Sequence, residues 1–395
     1  MSIAPRPDTG PPFVPLARPD MGEAELTALA EVLASGWLTT GPRVKQFETA
    51  FATHVGAAEA VALNSCTAGL HLSLLACGVG PGDEVITTPL TFAATANTVL
   101  HAGGTPVFVD VEAPTGTLDV AAVAAAIGPR TRVLLPVHHA GRPADPLAFR
   151  GLADARGMRL IEDAAHCVDG AVDGRRVGSI ADFTAFSFYS TKNLATGEGG
   201  MVTLDSSAHA DWMRVAALHG LSRDAWARYA PGAPAQYDVV MAGYKYNMMD
   251  LQAALGLVQL SRLATMQAQR EALWDRYDDG LADLPLGRPA PVPAGWRHAR
   301  HVYGITVEPL RCGWTRDALQ AALGREGIGT SVHFRALHLH TFYAERFQLR
   351  RGMFPHAEFH SDHSLSLPFW SGLPSSDADR VVDTLHRLLQ RGPDA

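Results

Sequence analysis

The chain has 395 residues, 47% of them hydrophobic and 18% charged, with a mean hydropathy of +0.02. That is apolar enough to exclude wholesale disorder and too long for one core, since cores stop growing near ~250–300 residues. A net charge of −7 with no long basic run excludes a nucleic-acid binder, and no stretch approaches the ~18–20 apolar residues of a membrane span. The Pro-rich start, residues 1–12, lacks the apolar run of a signal peptide. Four scattered cysteines (Cys66, Cys77, Cys167, Cys312) have no Cys-x-x-Cys spacing and fit a reducing cytoplasm. The histidines near the C-terminus match no zinc spacing, so no metal is expected.

In chain order, residues 1–22 read as an extended arm and 23–34 as an amphipathic helix closed by Ser35-Gly36. Strands are expected over 60–63, 84–87, 106–109, 132–136, 159–161, 183–188 and 201–204. Helices over 67–77, 92–101, 120–127 and 146–156 separate several of them. This alternation implies a mostly parallel sheet covered on both faces. A long helix follows over 250–281, then a linker over 285–295 with four prolines. Beyond it, a strand (302–307), a helix (315–326), a strand (330–334) and a last helix (375–390) make a small α/β unit. The expected division is therefore 1–22, a large domain over 23–284 and a small one over 285–395.

Ligands of such sheets bind beyond the carboxyl ends of the strands. The strand over 60–63 runs into Asn64-Ser65-Cys66-Thr67, where a helix start offers free N–H groups to an anion; an ordinary Ser/Thr cap is the alternative. The strand over 159–161 runs into Glu162-Asp163-Ala164-Ala165-His166, placing a carboxylate, or a helix-capping Asp, at the sheet's edge. The third signal is compositional: of 33 basic residues only Lys45, Lys192 and Lys245 are lysine. Arginine cannot serve as a deprotonatable amine, so these three are candidates for chemistry. Lys192 follows the strand over 183–188 in aromatic surroundings, which can lower an amine toward neutrality and make it a nucleophile.

An anion cradle, a carboxylate and a strand-end lysine are the parts that hold pyridoxal phosphate. At this point the sequence resembles the DegT/DnrJ group of sugar-nucleotide aminotransferases. The likeness rests on Ser35-Gly36-Trp37-Leu38-Thr39-Thr40-Gly41-Pro42, Val137-His138-His139-Ala140-Gly141, Ile161-Glu162-Asp163-Ala164-Ala165-His166, Phe186-Ser187-Phe188 with Lys192-Asn193, Glu198-Gly199-Gly200, and Gly243-Tyr244-Lys245-Tyr246-Asn247. It implies the α/β fold type I aminotransferase architecture, a large mostly parallel seven-stranded sheet domain with a small C-terminal domain, working as a cytoplasmic homodimer with shared active sites. It implies that Lys192 forms the Schiff base and moves the proton, and that Asp163 pairs with the pyridine nitrogen. Phe92 would stack on the ring, His166 would lie near its hydroxyl, and Cys66, Thr67 and Ser187 would hold the phosphate, Cys66 through its backbone. Lys245 and Asn247 are both candidates for the neighbouring subunit's phosphate. Pyridoxamine phosphate would be the intermediate between two half-reactions, with glutamate as donor and a nucleotide sugar as acceptor.

The segments over 243–247 and 329–338 are most similar to those of UDP-4-amino-4-deoxy-L-arabinose–oxoglutarate aminotransferases, which implies amination at C4 of a 4-keto sugar, a pentose favoured. His333 and Phe334 would border the sugar, with Trp37 and Thr39 as further candidates. Amination at C3 and dehydration are the alternatives within the group, though the dehydratases carry His in place of Lys192. Outside it, the alternative is a cofactor-binding regulator. A cell-envelope sugar and an antibiotic aminosugar both fit.

Overall fold

The computed structural model describes residues 12–222 and 237–393. Its strands are β1 (Glu59–Leu63), β2 (Glu84–Thr87), β3 (Thr105–Phe108), β4 (Thr131–Leu134), β5 (Arg159–Asp163), β6 (Ala171–Val172), β7 (Arg175–Arg176), β8 (Phe183–Ser187) and β9 (Gly200–Leu204). Seven of these form one sheet in the order β1-β9-β8-β5-β4-β2-β3. All neighbours are parallel except β9, which is antiparallel to both β1 and β8. All seven expected sheet strands are present. Every residue of β8 and β9 is buried, as in strands covered on both faces.

The bounds differ from expectation most usefully at β5. It runs on to Asp163 because Ile161, Glu162 and Asp163 pair with Phe183, Thr184 and Ala185 of β8. The polar pair does not stop the strand, since Thr184 Oγ1 donates to Glu162 Oε2 at 2.8 Å and so meets the carboxylate inside the core. Asp163 is therefore a strand terminus and not a helix cap.

The helices preceding and covering the sheet include α1 (Glu23–Ser35), α2 (Pro42–Val55), α3 (Cys66–Ala76), α4 (Ala93–His101), α5 (Val120–Ala126), α6 (Pro146–Arg156), α7 (Ser207–Ala217) and α8 (Asp250–Gly280). Two cores flank the sheet. One sets Leu70, Leu72 and Leu74 of α3 against Val61, Ile161, Ala185 and Val202. The other sets Phe47 and Phe51 of α2 against Phe186, Phe188 and Met201. A third core lies beyond, where Leu273, Trp274 and Tyr277 of α8 meet Tyr303, Ile305, Leu365, Val381 and Leu385. Tyr277 Oη donates to Pro368 O at 2.8 Å, tying the long helix to that part of the chain.

In the C-terminal part, β10 (Trp296–Arg297) joins β6 and β7, while β11 (Gly304–Thr306) pairs with β12 (Ser364–Ser366). Helices α9 (Pro309–Cys312), α10 (Arg316–Arg325), α11 (Thr341–Phe347), α12 (Pro355–His363) and α13 (Ser375–Arg391) complete it. The strand expected over 330–334 does not form. Only Ser331 finds a partner, exchanging both backbone hydrogen bonds with Ser366 (3.2 and 2.8 Å). Beyond that bridge the chain leaves the strand direction, and His333 and Phe334 turn toward His166. The described part of the N-terminal arm runs along this region: Val14 pairs with Ile328, and Phe369 N donates to Leu16 O. Residues 1–11 of the expected arm lie outside the described residues.

The sheet brings its edge to the site through one close approach. Gly200 opens β9 in register with both Leu63 and Ser187, and a Cβ there would be driven into the Ser65–Cys66 peptide, 2.5 Å from Cys66 N. Backbone cannot yield cheaply, so Gly200→Ala should cost about 1–3 kcal/mol in urea unfolding, as overpacking does. Gly151→Ala, mid-helix in α6 with nothing within 4 Å, should be neutral or gain up to about 1 kcal/mol. Equal midpoints for the two variants would contradict the close approach.

Candidate active site

The α3 N-terminus is capped by Ser65, whose Oγ accepts from Ala68 N at 3.1 Å. Ser65 is thus an ordinary cap, and the N–H groups of Cys66 and Thr67 still have no protein partner among the described residues. Free amides at the positive end of a helix dipole make an anion cradle. Ser187 stands beside it through the β8–β9–β1 register described above, its Oγ accepting from Tyr189 N at 3.4 Å.

Asp163 lies at the carboxyl end of β5, buried. Its Oδ2 accepts from Thr95 Oγ1 at 2.8 Å and its Oδ1 from Ala165 N at 3.1 Å. The Cys66 thiol sits 4.0 Å from Oδ1. Burial pushes the Asp163 carboxyl up, opposed by those hydrogen bonds and by the charge of Lys192. Burial, and then the Asp163 charge, push the Cys66 thiol well up, so it stays an S–H. Sequence reasoning gave Cys66 a backbone role only. Its N–H does face the cradle, but its side chain belongs to the carboxylate.

Lys192 follows β8 in a turn closed by its own N–H to Tyr189 O at 2.9 Å. Its side chain is half-buried and makes no ion pair or hydrogen bond among the described residues. Desolvation brings the amine down to about 8, although Cys66 and Asp163 pull the other way. His166 is buried beside it, its Nδ1 unpartnered, and desolvation and the Lys192 charge hold the imidazole well below its ordinary value. Its ring stacks on Phe334 (5.7 Å, 26°) and lies 4.4 Å from His301 and 6.1 Å from His333. Phe92, the residue before α4, is 63% exposed, its ring 6.0 Å from Phe334. An exposed aromatic at the mouth of a polar pocket is available to a flat ligand.

Asp163, Lys192, Cys66, Thr67, Ser187, His166, Phe92, His333 and Phe334 therefore converge. The remaining candidates stand a little apart. Lys245 Nζ donates to Asn247 Oδ1 (2.6 Å), and Asn247 Nδ2 donates to Thr40 Oγ1 (2.7 Å), while Tyr246 O holds Asn64 N at 2.7 Å beside the end of β1. Trp37 Nε1 donates to Thr40 O, and Thr39 O accepts from Asp250 N at the start of α8. Sequence reasoning missed Thr95 and His301. His301 Nδ1 meets Asn193 Oδ1 at 3.0 Å, and Asn193 Nδ2 donates to Ala299 O, which makes Nδ1 of His301 the protonated nitrogen.

The model of the DegT/DnrJ/EryC1/StrS aminotransferase family matches residues 19–386. The chain belongs to that family. It is 47% identical over 380 residues to the spore coat polysaccharide biosynthesis protein SpsC of Bacillus subtilis, covering 96% of this chain and 97% of SpsC. Among solved structures it is similar to the sugar aminotransferase Spr1654 of Streptococcus pneumoniae in its PMP form. That match has 32% identity and a TM-score of 0.89 over 96% of this chain and 99% of that one. It is also similar to DesI, solved in the presence of its TDP-sugar product, with 32% identity and a TM-score of 0.85 over 97% and 94% of the two chains. The chain is thus a sugar-family aminotransferase, which sets the regulatory alternative aside.

The lowered Lys192 value makes a direct prediction. Between about pH 8 and the ordinary lysine value near 10.5 the amine is neutral in the folded chain and protonated in the unfolded one. The unfolded state then binds more protons, so this group's contribution to stability rises with pH across that window. In the cofactor-free protein, labelling of Lys192 by a small amine-reactive acylating agent should rise with a midpoint near pH 8, read by peptide mass spectrometry. Lys192→Arg is the blank, and a midpoint near 10.5 would contradict the desolvated site.

Proposed function

We propose that the chain uses pyridoxal phosphate to move an amino group from glutamate to the C4 ketone of a nucleotide-linked keto sugar, with a 4-keto pentose favoured. The observation that carries the reading is the convergence at Lys192. An amine near neutrality stands with no acid partner of its own, between a buried carboxylate and a free helix N-terminus.

The residues fit the cofactor. The Cys66 and Thr67 amides at the positive end of α3, with the Ser187 hydroxyl beside them, suit the charge of a phosphate. Asp163, buried and raised by its burial, gains most from a cationic ring nitrogen: at ~4 Å and an effective dielectric near 20 such a pair is worth about 4 kcal/mol before desolvation. Phe92 is free to cover the ring face, and His166, neutral, can hydrogen-bond a ring hydroxyl without adding charge. The PMP form of Spr1654 and the TDP-sugar product with DesI support the same cofactor and class of acceptor here.

When bound, the cofactor supplies a carbonyl carbon and an electron sink. The chain supplies the rest. Asp163 keeps the ring nitrogen protonated, the cradle fixes the phosphate, and the Lys192 amine carries a proton to and from the substrate carbon. His333 and Phe334 form the wall against which the sugar lies, with Trp37 and Thr39 as outer contacts. Misplacement of the ketone by about 1 Å can cost ~10²-fold, so this wall decides which carbon is aminated. The active unit in this reading is a homodimer. Val239, Val240 and Met249 are exposed around the Lys245–Asn247 segment, a surface suited to a second copy whose phosphate Lys245 or Asn247 would reach.

The deciding assay incubates the holoenzyme with glutamate and a panel of 3-keto and 4-keto UDP- and TDP-sugars, then determines the product by NMR. The expected result is an amino group at C4, fastest with a 4-keto pentose. An amino group at C3, or no product from any 4-keto sugar, would overturn the reading.

A further inference from the structure

A feature of the Asp163 surroundings goes beyond that reading, though it rests on the same cofactor site. Thr95 is the third residue of α4, where a threonine commonly faces solvent or its own helix end. Here it is buried, and its hydroxyl lies 2.8 Å from Asp163 Oδ2 and 2.8 Å from Thr91 Oγ1, also buried.

With Asp163 ionised, the proton directions are fixed. An ionised carboxylate only accepts, so Thr95 spends its one proton on Asp163. The Thr91–Thr95 contact therefore needs the Thr91 proton, and the bonds run Thr91 O–H to Thr95 Oγ1, then Thr95 O–H to Asp163 Oδ2. Hydrogen bonds aligned in one direction polarise one another, and a donor to a charged oxygen in a buried site is stronger than a neutral pair. The chain of hydroxyls thus favours the ionised form of Asp163, which burial opposes. It also fixes the carboxylate plane from one side while Ala165 N and the Cys66 thiol hold the other oxygen. Phe92 lies just before the same helix, so the first turn of α4 carries both the aromatic ring and the clamp.

We propose that Thr95, backed by Thr91, is a positioning residue that keeps Asp163 ionised and aimed at the ring nitrogen of the cofactor. Neither threonine touches the reacting atoms.

The test uses the holoenzyme loaded with pyridoxal phosphate labelled with ¹⁵N in the ring. In the unaltered protein and in Thr95→Ser, which keeps the hydroxyl, the ring nitrogen should show the protonated ¹⁵N shift. In Thr95→Val it should move toward the unprotonated range, and the cofactor dissociation constant should rise about 10- to 100-fold, the factor carried by one hydrogen bond to a charged group. Thr91→Val leaves the Asp163 bond in place and should shift both readouts the same way by less; it carries the test if Thr95→Val does not fold. A Thr95→Val holoenzyme whose nitrogen shift matches the unaltered protein, even if less stable to heat, would overturn the inference, because the hydroxyl would then be only a packing element. Failure of the unaltered protein to bind the cofactor at all is a different outcome, since it removes the site reading itself.

Discussion

A carboxylate buried at the carboxyl end of a central strand is the constraint on which this site depends. Asp163 sits at the last residue of β5, between β4 and β8, where burial strips most of the solvation from its charge. An unpaired buried charge is costly enough that proteins neutralise it or surround it with donors. The chain surrounds it with Thr95, Ala165 N and the Cys66 thiol, taken from α4, the turn after β5 and the start of α3. Three separate elements are thereby fixed about one atom pair. The same elements carry Phe92 and the Cys66 and Thr67 amides, so placing the charge also places its neighbours.

The rest of the pocket is kept short of cations. His139, His166, His301 and His333 all have imidazoles pushed below their ordinary values, first by desolvation. Lys192 adds to that effect on His166, His301 and His333, and is itself brought down to about 8. Neutral rings leave the Asp163 carboxylate, the Lys192 amine and the α3 helix dipole as the dominant local fields. In the proposed reading that arrangement suits a molecule with an anionic arm and a cationic ring edge, and the lowered Lys192 amine can take up and release a proton near pH 8.

Much of this is legible in the sequence. The seven sheet strands announce themselves as short apolar runs between turn residues, and Asp163 stands out because it ends one of them. Lys192 is conspicuous for a reason unrelated to structure, the near absence of other lysines. Thr95 leaves no such mark: a threonine early in a helix is commonplace, and its partner is 68 residues away. His301 is equally silent, because its partner Asn193, itself part of a motif, lies 108 residues away. Helix α2, absent from the expected helices, has a Pro start, a Gly56 stop and buried Val44, Phe47, Phe51 and Val55 at helical spacing, so its signal lies in the sequence directly behind the motif over 35–42. Residues 330–334 err the other way. Their β-branched and aromatic composition reads as strand, yet β12 offers an edge at Ser331 alone, and the next side chains serve the pocket instead.

The central claim is that the Asp163 charge, more than its shape, makes the pocket work. The most direct measurement is the single-turnover half-reaction of the Asp163→Asn holoenzyme with glutamate, followed by rapid-mixing absorbance after cofactor occupancy has been confirmed. The amide preserves the outline and can still accept from Thr95, but it carries no charge for the ring nitrogen. The account predicts a rate lower by about two orders of magnitude or more, consistent with the loss of an ion pair of a few kcal/mol in a secluded site, with the cofactor still bound. A rate within a few-fold of the unaltered enzyme at full occupancy would contradict it.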